Sequence, residues 1–208
     1  MGYDLLVKNG TVIDGSGSPG YRADVGVVGG KIAAIGRINE SANQTIDADG
    51  HIVSPGFVDG HTHMDAQIFW DPIGSCSCYH GVTSVVMGNC GFTLAPCKQE
   101  DADMVFRNLE RAEDLSRDAM LEGIDWRWET FPEFLDVIDE LPKGINYAGY
   151  IGHSALRTYV MGERAFSDAA GEDDVRSMQG LVKQAVQAGA IGFSTSRTFN
   201  HLTADDRP

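Results

Sequence analysis

Apolar residues along this chain fall into two textures that meet at Ser54-Pro55-Gly56. Before that point they come as short β-branched runs: Leu5-Leu6-Val7, Thr11-Val12-Ile13, Val25-Gly26-Val27-Val28 and Ile32-Ala33-Ala34-Ile35. The pairs Asn9-Gly10, Gly29-Gly30 and Asp49-Gly50 lie between or within them. Such pairs tolerate the positive φ of tight turns, so the pattern predicts hairpins. Residues 1–54 therefore read as a small β-domain, a segment of a β-sandwich, with residues 46–53 as its last strand.

From residue 55 onward, short apolar strands alternate with helical stretches, the signature of βα units and a parallel sheet. The strands are predicted over residues 56–61, 83–88, 145–151 and 190–194. Glu172-Asp173-Asp174 places negative charge at a helix N-terminus, where the dipole favours it. Val175, Met178, Val182, Ala185 and Val186 then form an apolar stripe, and Gly189 closes the helix. A second helix is predicted over 101–121, with Val105, Leu109 and Ala112 on one face. A third begins at Phe131-Pro132, proline being well suited to a first turn, and buries Phe134, Leu135, Ile138 and Leu141. Residues 122–130, with Trp126 and Trp128, read as a loop.

Four βα units are half of a (β/α)8 barrel, whose usual length is about 250 residues. A half-barrel leaves two open parallel edges, which natural proteins avoid. The fold class expected is therefore α/β: a small β-domain, then the first half of a TIM-like barrel over residues 55–208, its remainder lying beyond Pro208.

Charge and cysteine usage narrow the function. Asp and Glu outnumber Lys and Arg by 30 to 16, a formal net charge of −14 that repels phosphate backbones and argues against nucleic-acid binding. No run of about 18 apolar residues is present, so no transmembrane helix is expected. The first residues lack the basic and apolar regions of a secretory leader. Cys76-Ser-Cys78 is too close to bridge comfortably, and the four cysteines match no zinc-knuckle spacing. Free thiols in a reducing cytoplasm follow.

The chemistry-bearing segment is Pro55-Gly56-Phe57-Val58-Asp59-Gly60-His61-Thr62-His63-Met64-Asp65. An apolar strand runs straight into His-x-His. Residues i and i+2 of a strand point the same way, so both imidazoles can converge on one metal ion. In a barrel the C-terminal end of a strand is also where active sites sit. Cys90, in Gly88-Asn89-Cys90-Gly91 just past the second barrel strand, reads either as a metal ligand or as a buried structural cysteine. His153 follows the third strand and reads as a pocket residue or a satisfied structural histidine. Arg197 and His201 follow the fourth; Arg197 is either a bidentate partner for a substrate carboxylate or a solvated loop residue.

Taken together, the N-terminal β-domain, the Pro-Gly-Phe-Val-Asp-Gly-His-Thr-His strand and the Gly-Asn-Cys-Gly turn resemble the amidohydrolase superfamily, in its N-acyl-D-amino-acid deacylase (D-aminoacylase) branch. Gly152-His153-Ser154-Ala155-Leu156-Arg157 and Gly192-Phe193-Ser194-Thr195-Ser196-Arg197 match segments expected of that branch, so the resemblance spans nearly the whole chain. It implies one or two zinc ions, with His61 and His63 holding one position and Cys90 contributing to the other. Many amidohydrolases carry a bridging lysine on the fourth strand; this chain has Phe193-Ser194-Thr195 there and no lysine. The implied reaction is hydrolysis of an N-acyl-D-amino acid to a carboxylate and a D-amino acid. The proton-transferring aspartate and two further histidines are expected beyond Pro208, so no catalytic residue is assigned within this chain, and Asp65 is not given that role. The expected partners are a small acylated amino acid and further copies of the chain in a homo-oligomer. A relative acting on a cyclic amide or β-peptide bond, or a non-catalytic scaffold of the same fold, is the alternative.

Overall fold

In the first unit, β1 (Tyr3–Val12) is a ten-residue strand that runs straight through the Asn9-Gly10 pair predicted to turn it. The computed structural model describes residues 2–113 and 115–198, and the side chains of all of these but 111–113. Asn9 sits at φ 63°, and the pairing of β1 with β2 (Tyr21–Val28) shifts between Val7 and Gly10. The Asn-Gly pair therefore makes a bulge inside a strand, not a hairpin. Two carboxylates explain why: Asp24 Oδ1 accepts the Asn9 N–H at 2.9 Å, and Asp47 Oδ1 accepts from its side-chain amide at 2.9 Å. Gly10 has no substitute there, because a Cβ would stand 2.4 Å from Val53 Cγ2.

The Gly29-Gly30 turn does join β2 to β3 (Lys31–Gly36) as an antiparallel hairpin. The single last strand predicted over 46–53 is two pieces, β4 (Ala42–Asp47) and β5 (Ile52–Val53), both parallel to β1. Gly50, at φ 76°, makes the turn that divides them. The sheet runs β3-β2-β1-β4, with β5 also on β1. Leu6, Val12 and Val25 are its buried apolar side chains. This unit comprises Met1–Gly56 and the next Phe57–Pro208.

The second unit is built on four parallel strands in sequence order: β6 (Phe57–Asp59), β7 (Val82–Met87), β8 (Asn146–Gly152) and β9 (Gly192–Ser194). This is the half-barrel sheet of an α/β fold. A one-turn helix, α1 (Ser75–Cys78), precedes β7. The helix predicted over 101–121 is two, α2 (Ala102–Glu113) and α3 (Arg117–Gly123). Ser116 starts the second of these: its extended backbone leaves the helical region and its hydroxyl accepts the Ala119 N–H.

Beyond it, α4 (Phe131–Glu140) opens as expected, with Pro132 in the first turn and a capping box between Thr130 and Glu133. A helix that periodicity did not reveal, α5 (His153–Met161), follows β8 directly. The last, α6 (Glu172–Ala188), buries Ala185 and packs Met178, Leu181 and Val182 on the core. Val175 and Val186, predicted in that stripe, are 40% and 48% exposed instead. Side-chain details of Ala112, and His201 as a whole, lie outside the described residues.

Among the described residues the second unit has two core clusters; in the larger, Met87 and Ile151 from the strands meet Leu109, Met120, Phe134 and Leu156. Each is almost wholly buried, a burial that stabilises by roughly 1.5–3 kcal/mol per large apolar side chain. Trp126 and Trp128 stack at a centroid distance of 4.4 Å beside Phe69 and Phe134, so the loop before α4 is anchored by its aromatics. Among the described residues no helix is long and apolar enough to cross a membrane.

Candidate metal and substrate site

β6 stops at Asp59, and the carboxylate of that residue accepts the backbone N–H of His61 at 3.1 Å, turning the chain as it leaves the sheet. Thr62 then anchors the His-x-His segment to β7: its N–H and its hydroxyl both donate to Val86 O, at 2.9 and 2.8 Å. His61 and His63 flank this anchor, with ring centroids 5.4 Å apart.

The turn after β7 carries the third group. Gly88, Cys90 and Gly91 have φ of 76°, 56° and 91°, so three of its four residues lie in the left-handed region. For a cysteine this conformation costs roughly 1–2 kcal/mol and needs support from its surroundings. That support comes from three sides. Asp65 Oδ2 accepts the Gly88 N–H at 3.0 Å, and the Asn89 amide donates to Thr62 O at 3.2 Å and Val86 O at 2.9 Å. The Ser194 hydroxyl accepts the Gly91 N–H at 3.0 Å and donates to Gly88 O. Only glycine fits at Gly88 and Gly152: a Cβ on either would lie 2.4 Å from a backbone oxygen, Tyr150 O or Gly91 O.

The outcome is convergence. Cys90 Sγ stands 3.3 Å from His61 Nε2, and one ligand atom each of His61, His63 and Cys90 lies within 4.8 Å of the others. Two imidazoles and a thiol form a donor set suited to zinc. None of the other cysteines is in a disulfide; Cys97 is buried, which pushes its thiol up to about 12 and leaves it inert.

Beside Cys90 opens a cleft of about 520 Å³, lined further by Phe92, Asn108, His153, Arg157 and Arg197. That volume suits a small molecule. His153 is the first residue of α5, and its Nδ1 lies 3.1 Å from Thr195 Oγ1. Burial above all, then the neighbouring Arg157 and Arg197 guanidinium groups, lower its pKa below the usual 6.5 and favour the neutral ring. Arg157 donates to Ala165 O at 2.8 Å and also to Asp168 O, bracing the far wall of the cleft. Arg197 is exposed at its rim.

Five of the residues singled out in the sequence fall on one end of the parallel sheet, His61, His63 and Cys90 together and His153 and Arg197 along the adjoining cleft, while His201 lies outside the described residues. Sequence reasoning missed Asn89, Arg157 and Ser194, and gave Asp65 no task. Asp65 is 1% exposed, and a carboxylate so close to a His-x-His pair in an apolar run was a signal for a structural hydrogen bond.

The chain belongs to the amidohydrolase family, whose model matches residues 44–207. Its relatives are of a particular kind. A D-aminoacylase of Alcaligenes xylosoxydans xylosoxydans is 39% identical over 95% of this chain and 38% of that protein. An N-acyl-D-aspartate deacylase of the same organism is 35% identical over 97% of this chain, again 38% of the relative. The crystal structure of N-acyl-D-glutamate deacylase from Bordetella bronchiseptica, complexed with zinc and a phosphonate mimic of the tetrahedral intermediate, superposes with a TM-score of 0.78 at 32% identity. That match covers 94% of this chain and 38% of the other. The chain therefore spans little more than a third of the length of these relatives.

Proposed function

We propose that this chain is part of a zinc-dependent deacylase that hydrolyses N-acyl-D-amino acids to a carboxylate and a D-amino acid. In this reading His61, His63 and Cys90 are metal ligands, and His153 and Arg197 contact substrate. The observation that carries it is the approach of three ligand atoms to within 4.8 Å at the mouth of a cleft. A zinc ion on such a donor set supplies Lewis-acid polarisation of the amide carbonyl and a water of lowered pKa.

This chain's own residues supply recognition. The Arg197 fork pairs bidentately with the substrate's α-carboxylate. The Thr195 hydroxyl, 3.1 Å from Nδ1, orients a neutral His153 ring beside the cleft. Asp65 is not given the proton-transferring role, because its carboxylate is buried and already accepts the Gly88 N–H. The working form is assigned to the cytoplasm, as a monomer or homo-oligomer.

The test uses the complete polypeptide. Metal analysis after zinc supplementation is expected to give one or two ions per chain, and N-acetyl-D-amino acids are expected to be hydrolysed while their L-enantiomers are not. A protein that takes up no zinc, or that cleaves both enantiomers equally, would sink the proposal.

A further inference from the structure

The fourth strand of the sheet ends in a serine, and that serine is engaged. Ser194, the last residue of β9, reaches the Cys90 turn from the side opposite Asp65. Its hydroxyl uses both of its capacities there, accepting from Gly91 N and donating to Gly88 O. These two backbone groups bracket Asn89 and Cys90. Bound on both flanks, the left-handed turn cannot relax by rotating either peptide. Its glycines also leave no slack, since Gly88 is wedged against Tyr150 O and Gly91 O lies where a Gly152 Cβ would be.

We infer that Ser194 is a positioning residue, a hydroxyl latch that holds the Cys90 thiol in register with His61. The inference rests on the reading of Cys90 as a metal ligand, and it assigns the metal-site geometry to a residue 104 positions later in the chain. Asn89 ties the turn to the His-x-His segment through Thr62 O; Ser194 closes it from the other direction. Cys90 is then oriented by the sheet's fourth strand as well as by its second. A serine in this place does for a thiol ligand what hydrogen-bonded outer partners do for ligating histidines, fixing its direction before the ion arrives.

The experiment compares the wild-type protein with Ser194→Ala and Ser194→Thr by two measurements. The first is a cobalt(II) titration followed through the thiolate-to-metal charge-transfer band. The second, on metal-free protein, is the alkylation rate of Cys90 resolved by peptide mass spectrometry. Removing an outer hydrogen-bonding partner of a metal ligand typically costs 10–100-fold in affinity, so Ser194→Ala is expected to weaken cobalt binding by roughly that factor and to diminish the band. It is also expected to raise Cys90 alkylation several-fold, while Ser194→Thr, which keeps the hydroxyl, stays near wild type in both. The latch is overturned if Ser194→Ala alkylates Cys90 at the wild-type rate, or if the alanine and threonine variants change equally. A wild type without any charge-transfer band removes the metal reading instead and leaves the alkylation rates to decide the latch.

Discussion

Cys90 Sγ and His61 Nε2 lie 3.3 Å apart although 29 residues separate them in the chain. Neither side chain is fully buried, so the approach is not forced by core packing. It follows from backbone: a strand end that turns on Asp59, and a left-handed turn held by Asp65, Asn89 and Ser194.

That approach makes metal binding a stability term that can be measured. Ligand that binds only the folded state stabilises by RT ln(1 + [L]/Kd), about 2.7 kcal/mol at a hundredfold excess over Kd. Chelator-treated protein is expected to gain about that much on adding zinc, read as a shift in denaturant midpoint. Cys90→Ala is expected to lose most of the gain. Equal stabilisation of the variant by zinc would place the ion elsewhere.

Arg197→Ala is expected to raise KM for an N-acyl-D-amino acid by roughly tenfold to a hundredfold while kcat changes little. A carboxylate–guanidinium hydrogen bond contributes about 1.5–3 kcal/mol, and a contact present equally in ground and transition states appears in KM. A fall in kcat with constant KM would contradict the assigned role.

The pH dependence of stability carries the signature of His153. Its folded pKa is lowered below 6.5 by burial and two arginines, so the unfolded chain takes up its proton first as pH falls. Stability is therefore expected to decline as pH drops below about 6.5, in the window between the unfolded and folded values. Replacing His153 with Gln removes that increment. Identical pH profiles for the two proteins between neutrality and pH 5 would refute it.

In the first unit, Asp24→Ala is expected to destabilise by about 1–3 kcal/mol, because it strands two donors, the Asn9 and Ile38 N–H groups, at 2.9 and 3.0 Å from the lost carboxylate. The same hydrogen bonds hold the Asp24 pKa below the usual 3.8, so its contribution is present above that pH and is lost as acid protonates the folded carboxylate. Urea unfolding of the variant at neutral pH and near pH 3 provides the check; the difference from wild type should shrink in acid.

Much of this was legible in the residues. The four parallel strands and α4 announced themselves through apolar runs, a proline in the first turn and capping groups. The strand predicted over 56–61 ends at Asp59, so His61 and His63 lie beyond it and their approach comes from the turn that follows, not from a strand's two-residue period. What failed did so for local reasons. Asn9-Gly10 has the composition of a hairpin turn, but Asp24 and Asp47 recruit it into a bulge, and neither is near it in sequence. The break before α3 hinges on one serine cap within an otherwise helical pattern. Val175 and Val186 fit the apolar period of α6, yet the buried face is the one through Met178 and Ala185. The support of Cys90 by Ser194 was invisible because no period or motif links a turn to a strand over a hundred residues away.

The strand order β6-β7-β8-β9 sets the functional groups out in the order in which they are encoded: the histidine pair, the cysteine, His153, then Arg197. The groups proposed to hold an ion occupy one end of this row and those proposed to face substrate the other. On that proposal, exchanging the segments after β8 and β9 changes the molecule accepted while leaving the histidine pair and Cys90 in place. The coupling through Ser194 sets the limit of that freedom, since an exchange reaching one residue too far into β9 would disturb the inherited half as well.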